Sequence, residues 1–379
     1  MRNLLPNLFL LVVSAVAGFF LCEMLVRIVS PQILYSYRDV NKPDSVFIYR
    51  HRENANLVVN VGEGERHFVS DRFGYRVNYT SRDSAERRAD VTVLVIGDSF
   101  VEALAVENEE TIPEYIARLL SENLGQSVEA VNAGHGGWCP NQYYLEARRS
   151  LALRKFDMGL VFLYTGNDCI HEIDTCYTPT RYFAPPKLRL PRGFSKSEFK
   201  SSIYKPVVEY LGRRFHLAVF LDYQISLLLT KVGLIKRYQE RFLNFRTFLR
   251  EERDSERWDV VACICAGIRN EFQRHHVPVL FVLIPPDFQV YEKIFYDDLQ
   301  KYNFPMESAD LEQPNKMLAV AFEKRSLPLI DLLDYLRLKA AEEEQLYSSI
   351  TRHLTARGNQ IVAEYLLPFM AAELKENPW

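Results

Sequence analysis

The sequence predicts an α/β domain in which a parallel β-sheet is covered by helices on both faces. From residue 91 onward, short runs of β-branched and aliphatic residues alternate with longer amphipathic segments. The runs are apolar at nearly every position, which is typical of strands buried on both faces. Strands that alternate with helices build parallel sheets, because each crossover places a helix on one face.

The first thirty residues stand apart from this pattern. The 19 residues from Leu4 to Cys22 carry no charge, and Arg2 precedes them. As a helix this segment is about 28 Å long, close to the thickness of a bilayer's hydrocarbon core. We therefore expect residues 1–30 to form a transmembrane anchor. If Arg2 stays inside, the rest of the chain lies outside the cytoplasm, in the periplasm or the extracellular space.

A cleaved signal peptide is the alternative for this segment. Ala15 and Ala17 form an Ala-x-Ala pattern of the kind that precedes cleavage sites. Cleavage there would follow a short apolar run and would leave a second apolar stretch at the new N-terminus. This outcome is unfavourable, so an uncleaved anchor is the preferred interpretation.

Residues 31–90 form a polar leader, in which we expect short strands around a glycine turn at Gly74. The strand and helix alternation follows. Strands are predicted at 91–96, 127–132, 158–165, 277–284 and 327–330, and helices at 111–124, after Pro140, at 260–276 and after residue 358.

One segment, residues 177–257, interrupts the alternation. It contains 17 Lys and Arg against 8 Asp and Glu, an excess of +9 in a chain of net charge −3. Residues 216–245 have the pattern of one or two amphipathic helices, and their charged residues argue against a second membrane span. We expect a basic helical insertion at the edge of the domain. A lid, or a surface for an anionic polymer or lipid headgroups, is the alternative.

Four short polar stretches follow predicted strands or precede the last helix. They are Gly-Asp-Ser at 97–99, residues 132–138, Thr-Gly-Asn-Asp at 165–168, and residues 351–358. Ligands of open α/β sheets bind at the carboxyl ends of the strands, where the first three stretches lie. A serine after a strand is also a common helix N-cap, so Ser99 alone indicates little. Four such stretches in order favour a functional site.

This set of stretches resembles the SGNH (GDSL-type) hydrolase family, whose four blocks supply Ser, Gly, Asn and His. Ser99 matches the family's nucleophile, and Gly137 matches its glycine, with Gly134 as the alternative. Asn167 matches the asparagine and His353 the histidine. The resemblance covers most of the chain outside the anchor, the leader and the insertion.

The resemblance implies the flavodoxin-like three-layer α/β/α fold of SGNH hydrolases over residues 91–375. It also implies a serine esterase. In that chemistry Ser99 attacks an acyl carbonyl after His353 takes its proton. The N–H groups of Ser99 and Gly137 and the side chain of Asn167 form the oxyanion hole. Asp98 is expected to brace the turn, and His135 is a weaker candidate for a substrate contact.

The sequence departs from the family at the acid that normally precedes the histidine. Thr351 and Ile350 occupy those positions, and neither carries a negative charge. Three explanations stay open. A backbone carbonyl or the Thr351 hydroxyl orients His353, an acid from elsewhere such as Asp331 or Asp334 serves, or the protein is a binder without catalysis.

The expected substrate is a small acyl ester, with O-acetyl groups on a cell-surface or extracellular carbohydrate favoured. The alternatives are a carbohydrate O-acetyltransferase, a non-catalytic glycan-binding or assembly protein, and, third, a lipid esterase. The net charge of −3 gives no indication of a nucleic-acid partner. No cofactor or metal is expected, because no His, Cys and Asp grouping has metal-ligand spacing.

Overall fold

Five parallel strands form the predicted sheet in a computed structural model of the chain. The strands are β5 (Val91–Gly97), β6 (Val128–Gly134), β7 (Met158–Tyr164), β8 (Val279–Ile284) and β9 (Leu329–Asp331). Their spatial order is β6-β5-β7-β8-β9. Counted from the first strand of the sheet, this is the 2-1-3-4-5 order of flavodoxin-like folds. The α/β class and the flavodoxin-like architecture are therefore confirmed.

The structure describes most of the chain. The described residues are 4–30, 32, 34, 38–78, 89–169, 210–212, 214–231, 246–250, 253, 256–301, 306–342 and 345–376. The chain divides into two compact units, residues 1–36 with 189–239, and residues 37–188 with 240–379.

Alternate side chains of each strand enter two separate cores. In β5, Leu94 and Ile96 belong to one core, and Val93 and Val95 belong to the other. This follows from the period of two along a strand, which sends successive side chains to opposite faces. Because both faces are covered, every residue of β5 is buried.

Helices cover both faces of this sheet. The helices that pack on it are α3 (Ile112–Leu124), α4 (Pro140–Leu153), α6 (Arg257–Arg274), α9 (Gln313–Glu323), α10 (Leu333–Glu342) and α11 (Ala356–Glu376). One core takes its helical side chains from α4, α6 and α9, and the other takes most of them from α3, α10 and α11. The other helices within the described ranges are α1 (Leu4–Val29), α2 (Ser99–Glu102), α5 (His216–Lys231), α7 (Asp287–Val290) and α8 (Glu292–Lys301).

The polar leader folds as two antiparallel hairpins, which agrees with the predicted short strands. Strands β1 (Asn41–Asp44) and β2 (Ile48–His51) pair with each other, as do β3 (Asn56–Asn60) and β4 (Glu65–Val69). A turn with Gly74 at φ 83° follows β4. A Cβ at this glycine would lie 3.0 Å from the carbonyl oxygen of His51, so the turn needs both the left-handed conformation and the missing side chain.

Arg76, which follows this turn, is buried and fixes the chain beyond α2. Its guanidinium donates to the carbonyl oxygens of Glu102 and Ala103 at 2.6 Å and of Val106 at 2.8 Å, and to Asn108 Oδ1 at 2.7 Å. Burial lowers the pKa of Arg76 to about 10, so the side chain stays charged at neutral pH. The leader therefore supplies donors for carbonyls that the helix end leaves unpaired.

The first unit contains α1 and α5. The carboxylate of Glu23 in α1 accepts hydrogen bonds from the N–H groups of His216 and Leu217, at 3.0 and 2.7 Å, and so caps the start of α5. Residues Pro6–Val29 are long and apolar enough to cross a membrane, a test that a signal sequence also passes. The uncleaved anchor stays a prediction. Of the predicted insertion 177–257, helix α5 is described and most of the rest lies outside the described residues.

Replacing Arg76 by Met tests how much the fold depends on this arginine. The variant leaves several buried carbonyl oxygens without a donor, and we expect the free energy of unfolding to fall by about 3 kcal/mol or more. Urea denaturation followed by circular dichroism measures this loss. Arg72→Met, at an exposed arginine of the same segment, is the control and should change stability by less than about 0.5 kcal/mol. Equal losses in the two variants would contradict the assignment.

Candidate active site

Ser99 is the first residue of α2, at the carboxyl end of β5. The N-cap of this short helix is Asp98, whose carboxylate accepts a hydrogen bond from the Phe100 N–H at 2.9 Å. Ser99 is half-buried, whereas Asp98 is almost fully buried. The capping role that could have explained Ser99 thus belongs to its neighbour, and Asp98 braces the turn as expected.

The carboxyl end of β6 packs directly against the start of α2. A Cβ on Gly134 would lie 2.3 Å from the backbone nitrogen of Glu102, so no other residue fits there. The Gly134 N–H already donates to Asn132 Oδ1 at 3.1 Å. Gly137, by contrast, is exposed at φ 75°, and its N–H donates to no other described residue. Of the two glycines left open by the sequence, Gly137 is therefore the one whose backbone N–H could donate to a ligand.

Ser99 and His353 are in hydrogen-bond contact although 254 positions separate them. Ser99 Oγ lies 2.8 Å from His353 Nε2, and His353 Nδ1 lies 2.9 Å from the carbonyl oxygen of Thr351. A carbonyl oxygen only accepts, so Nδ1 carries the proton and Nε2 is the lone-pair nitrogen facing the serine. This is the tautomer that a general base for Ser99 requires.

The partner of Nδ1 answers the question raised by the missing acid. The Thr351 backbone carbonyl fills the position, as in the first of the three explanations. Asp331 instead accepts hydrogen bonds from Asn315 Nδ2 and from the Leu333 N–H at 2.9 Å. The side chain of Asp334 is fully exposed. Neither aspartate is therefore the acid behind His353.

Burial lowers the pKa of His353 below its ordinary value. The hydrogen bond to the Thr351 carbonyl opposes this, as do the negative charges of Glu102, Asp287 and Glu63. The net result is an imidazole that is neutral at pH 7 and has an unprotonated Nε2. Phe100 packs on the ring with centroids 4.9 Å apart, which contributes to the burial.

Asn167 lies in the turn that follows β7, the strand next to β5. The adjacent Asp168 holds this turn, because its carboxylate accepts from the Tyr164 N–H at 2.8 Å and from Tyr143 Oη at 3.1 Å. Burial raises the pKa of Asp98 to about 7, while hydrogen bonds from the Phe100 N–H and the Asn167 side chain oppose the rise. The Asn167 amide therefore lies against the residue that precedes Ser99.

Residues of the leader complete the site, and sequence analysis missed them. Tyr49 Oη donates to the Gly136 carbonyl at 2.7 Å and so holds the loop of Gly137. His51 Nε2 lies 2.7 Å from Glu102 Oε1 beneath α2. The sequence contains no signal for these contacts beyond the presence of aromatic residues in a polar segment.

His135 is a core side chain. It is fully buried, and its ring stacks between His51 and Trp138 with centroids 3.8 and 3.7 Å away. Burial lowers its pKa well below the ordinary value, so it is a neutral core side chain. The weaker possibility of a substrate contact is therefore not supported, because the ring is enclosed between these side chains.

Comparison with known proteins gives structural similarity at low identity. No protein-family model and no curated protein matches the chain. Among solved structures it is similar to TesA, with a TM-score of 0.40 and 12% identity over 74% of this chain and 99% of that one. For a lipase/acylhydrolase from Enterococcus faecalis the values are 0.35 and 11%, over 74% and 96%. For AlinE4, an SGNH-hydrolase family esterase, they are 0.35 and 13%, over 77% and 100%. Similarity at this level carries neither an activity nor a substrate over to this chain.

The protonation of His353 can be measured directly. We expect its ring to titrate with a midpoint below pH 6.5, since burial disfavours the charged imidazolium. NMR of protein labelled at histidine gives the midpoint, and the spectrum of His353→Gln identifies the signal. A midpoint above 6.5 would mean that the surrounding carboxylates outweigh burial.

Proposed function

We propose that the protein is a serine esterase with Ser99 as nucleophile and His353 as general base. The observation that carries the proposal is the hydrogen bond of 2.8 Å between Ser99 Oγ and His353 Nε2, with Nδ1 protonated against a carbonyl. A serine hydroxyl is a weak nucleophile until a base takes its proton, and this pairing supplies the base.

The reaction follows from the geometry. Ser99 Oγ attacks the acyl carbonyl carbon while its proton moves to His353 Nε2. The N–H groups of Ser99 and Gly137 and the amide of Asn167 receive the oxyanion. The C–O bond to the alcohol breaks, and the alcohol leaves with the proton from Nε2. Water, activated by the same imidazole, then hydrolyses the acyl-serine and regenerates the enzyme.

This site works as a Ser–His dyad. The Thr351 carbonyl performs the orienting part of the usual acid's role, since it fixes the tautomer of His353. It brings no full negative charge to stabilise the imidazolium. In the serine protease template, loss of the acid costs about 10⁴ in kcat, much of it because the tautomer becomes wrong. A correctly held tautomer therefore retains part of that factor.

The proposed substrate is a small acyl ester, with acetyl on a carbohydrate hydroxyl as the favoured case. The exposure of Gly137 supports access by a surface polymer. The apolar helix α1 and the charge at Arg2 support a membrane-anchored enzyme with its domain outside the cytoplasm.

Ser99→Ala tests the proposed activity. We expect a soluble fragment from residue 32 to hydrolyse p-nitrophenyl acetate and to react covalently with a fluorophosphonate probe. Ser99→Ala should lower hydrolysis at least about 10³-fold and abolish labelling. The control is Ser127→Ala, a serine at the amino end of β6, away from the carboxyl ends of the strands, whose hydroxyl bonds to Asp90.

Two outcomes would redirect the assignment. A folded wild-type protein that neither hydrolyses the ester nor labels would favour a binding protein that uses the same cleft. Faster acyl transfer to an added oligosaccharide than to water would favour an O-acetyltransferase, in which a sugar hydroxyl intercepts the acyl-serine.

Thr351→Ala tests which atom of Thr351 orients His353. The backbone carbonyl survives this substitution, and among the described residues the Thr351 hydroxyl bonds only to the His353 N–H, at 3.4 Å. We expect kcat/KM for p-nitrophenyl acetate to stay within about threefold of wild type, since a long neutral hydrogen bond contributes little. A loss of a hundredfold or more would assign the orientation to the hydroxyl.

A further inference from the structure

We propose that Glu63, at the tip of the β3–β4 hairpin, is a positioning residue for His353. Its carboxylate binds the backbone of Thr351, which holds the imidazole, and places near the ring the negative charge that the missing acid would provide. The inference rests on the proposed esterase function and deepens it. No sequence pattern pointed to Glu63, which lies 290 positions before the histidine.

Glu63 binds the loop that carries the histidine. This histidine loop, residues 346–355, is closed by a bridge between Tyr347 and Leu354 and by the Ser348 N–H, which donates to the His353 carbonyl at 2.8 Å. The Oε1 atom of Glu63 accepts a hydrogen bond from the Ser348 hydroxyl. The same atom accepts from the Thr351 N–H at 3.0 Å. One carboxylate oxygen thus binds two residues of the turn that leads to His353.

Thr351 is the residue through which Glu63 reaches the imidazole. Its N–H donates to Glu63, and its carbonyl oxygen accepts the Nδ1 proton of His353. A carboxylate on the N–H side fixes the backbone of Thr351 and therefore the direction of that carbonyl. It also places a full negative charge close to the ring that becomes positive when Ser99 is deprotonated.

The hairpin is built to present this side chain. Gly62 and Gly64, on either side of Glu63, have φ values of 111° and 93°. The Gly62 N–H donates to Asn60 Oδ1 at 2.7 Å, which tightens the turn. A backbone with positive φ at both flanking positions suits glycine and holds the residue between them at the tip.

Glu63 is distinguished from the other two carboxylates near His353 by its partners. Glu102 is paired with His51 at 2.7 Å, and Asp287 is paired with Arg352 at 2.6 Å. Glu63 accepts only from a hydroxyl and a backbone N–H, and no cation of the described chain forms an ion pair with it. Within the described residues its charge is therefore not offset by a cationic side chain, and in a half-buried site that charge is less screened by solvent than in bulk water, so it raises the pKa of His353.

Glu63→Gln removes the charge and keeps an oxygen that can accept the same two hydrogen bonds. We expect kcat for p-nitrophenyl acetate to fall about tenfold, because the imidazolium formed in the transition state loses stabilisation. The acid limb of the pH profile of kcat/KM, and the NMR titration of His353, should move to lower pH, since loss of a negative charge disfavours the protonated ring.

The matched control is Glu65→Gln, which removes the same charge two residues along the hairpin at an exposed position. It should leave the rate and the acid limb unchanged. Glu63→Asp retains the charge and should keep the acid limb at the wild-type pH even where its rate falls. This variant also serves if Glu63→Gln does not fold, as judged by its urea denaturation.

The outcomes separate this inference from the proposed function. A wild-type protein without hydrolysis or probe labelling overturns the esterase itself. An active wild type in which Glu63→Gln behaves like Glu65→Gln overturns the role of Glu63. The role of Glu63 is also overturned if Glu63→Gln loses rate while its acid limb stays at the wild-type pH, or if the acid limb of Glu63→Asp moves away from the wild-type pH.

Discussion

The hydrogen bond between Ser99 and His353 is the contact on which the proposed chemistry depends, and the rest of the fold holds its two ends. Ser99 stands at the end of a strand that is buried on both faces, and Asp98 caps the short helix that it begins. His353 is held by a loop far along the chain, with a backbone carbonyl behind Nδ1. A parallel sheet brings the carboxyl ends of distant strands to one edge, which makes this meeting possible.

The polar leader is a structural part of this site. Arg76 pairs the carbonyls that follow α2, and His51 pairs Glu102 within it. Tyr49 holds the loop of Gly137, and Glu63 binds the histidine loop. A protein that lacks these hairpins would leave buried carbonyls and a buried carboxylate without partners, which is costly in free energy.

Electrostatics at His353 are a balance between burial and surrounding charge. Burial lowers the pKa of the imidazole and keeps the ring neutral, as a base requires, while the negative charges of three carboxylates raise that pKa. Two of them are paired with cationic or histidine side chains. The negative charge around the proposed base therefore comes from side chains of three separate segments of the chain.

The sequence by itself predicted the parallel sheet and the succession of its strands and helices along the chain, because strand periodicity and turn residues are local. The resemblance of its four polar stretches to a known family predicted Ser99, Asn167, His353 and either Gly137 or Gly134 as site residues. Only the tertiary structure showed that Gly134 has no room for a side chain, that Asp331 bonds to Asn315 and not to His353, and that the side chain of His135 lies in the core. It also brought Glu63 to Thr351 across 288 positions. A single glutamate between two glycines forms no recognisable motif. Its partners are set by the packing of segments that lie far apart along the chain, and no local pattern indicates which of these segments come into contact.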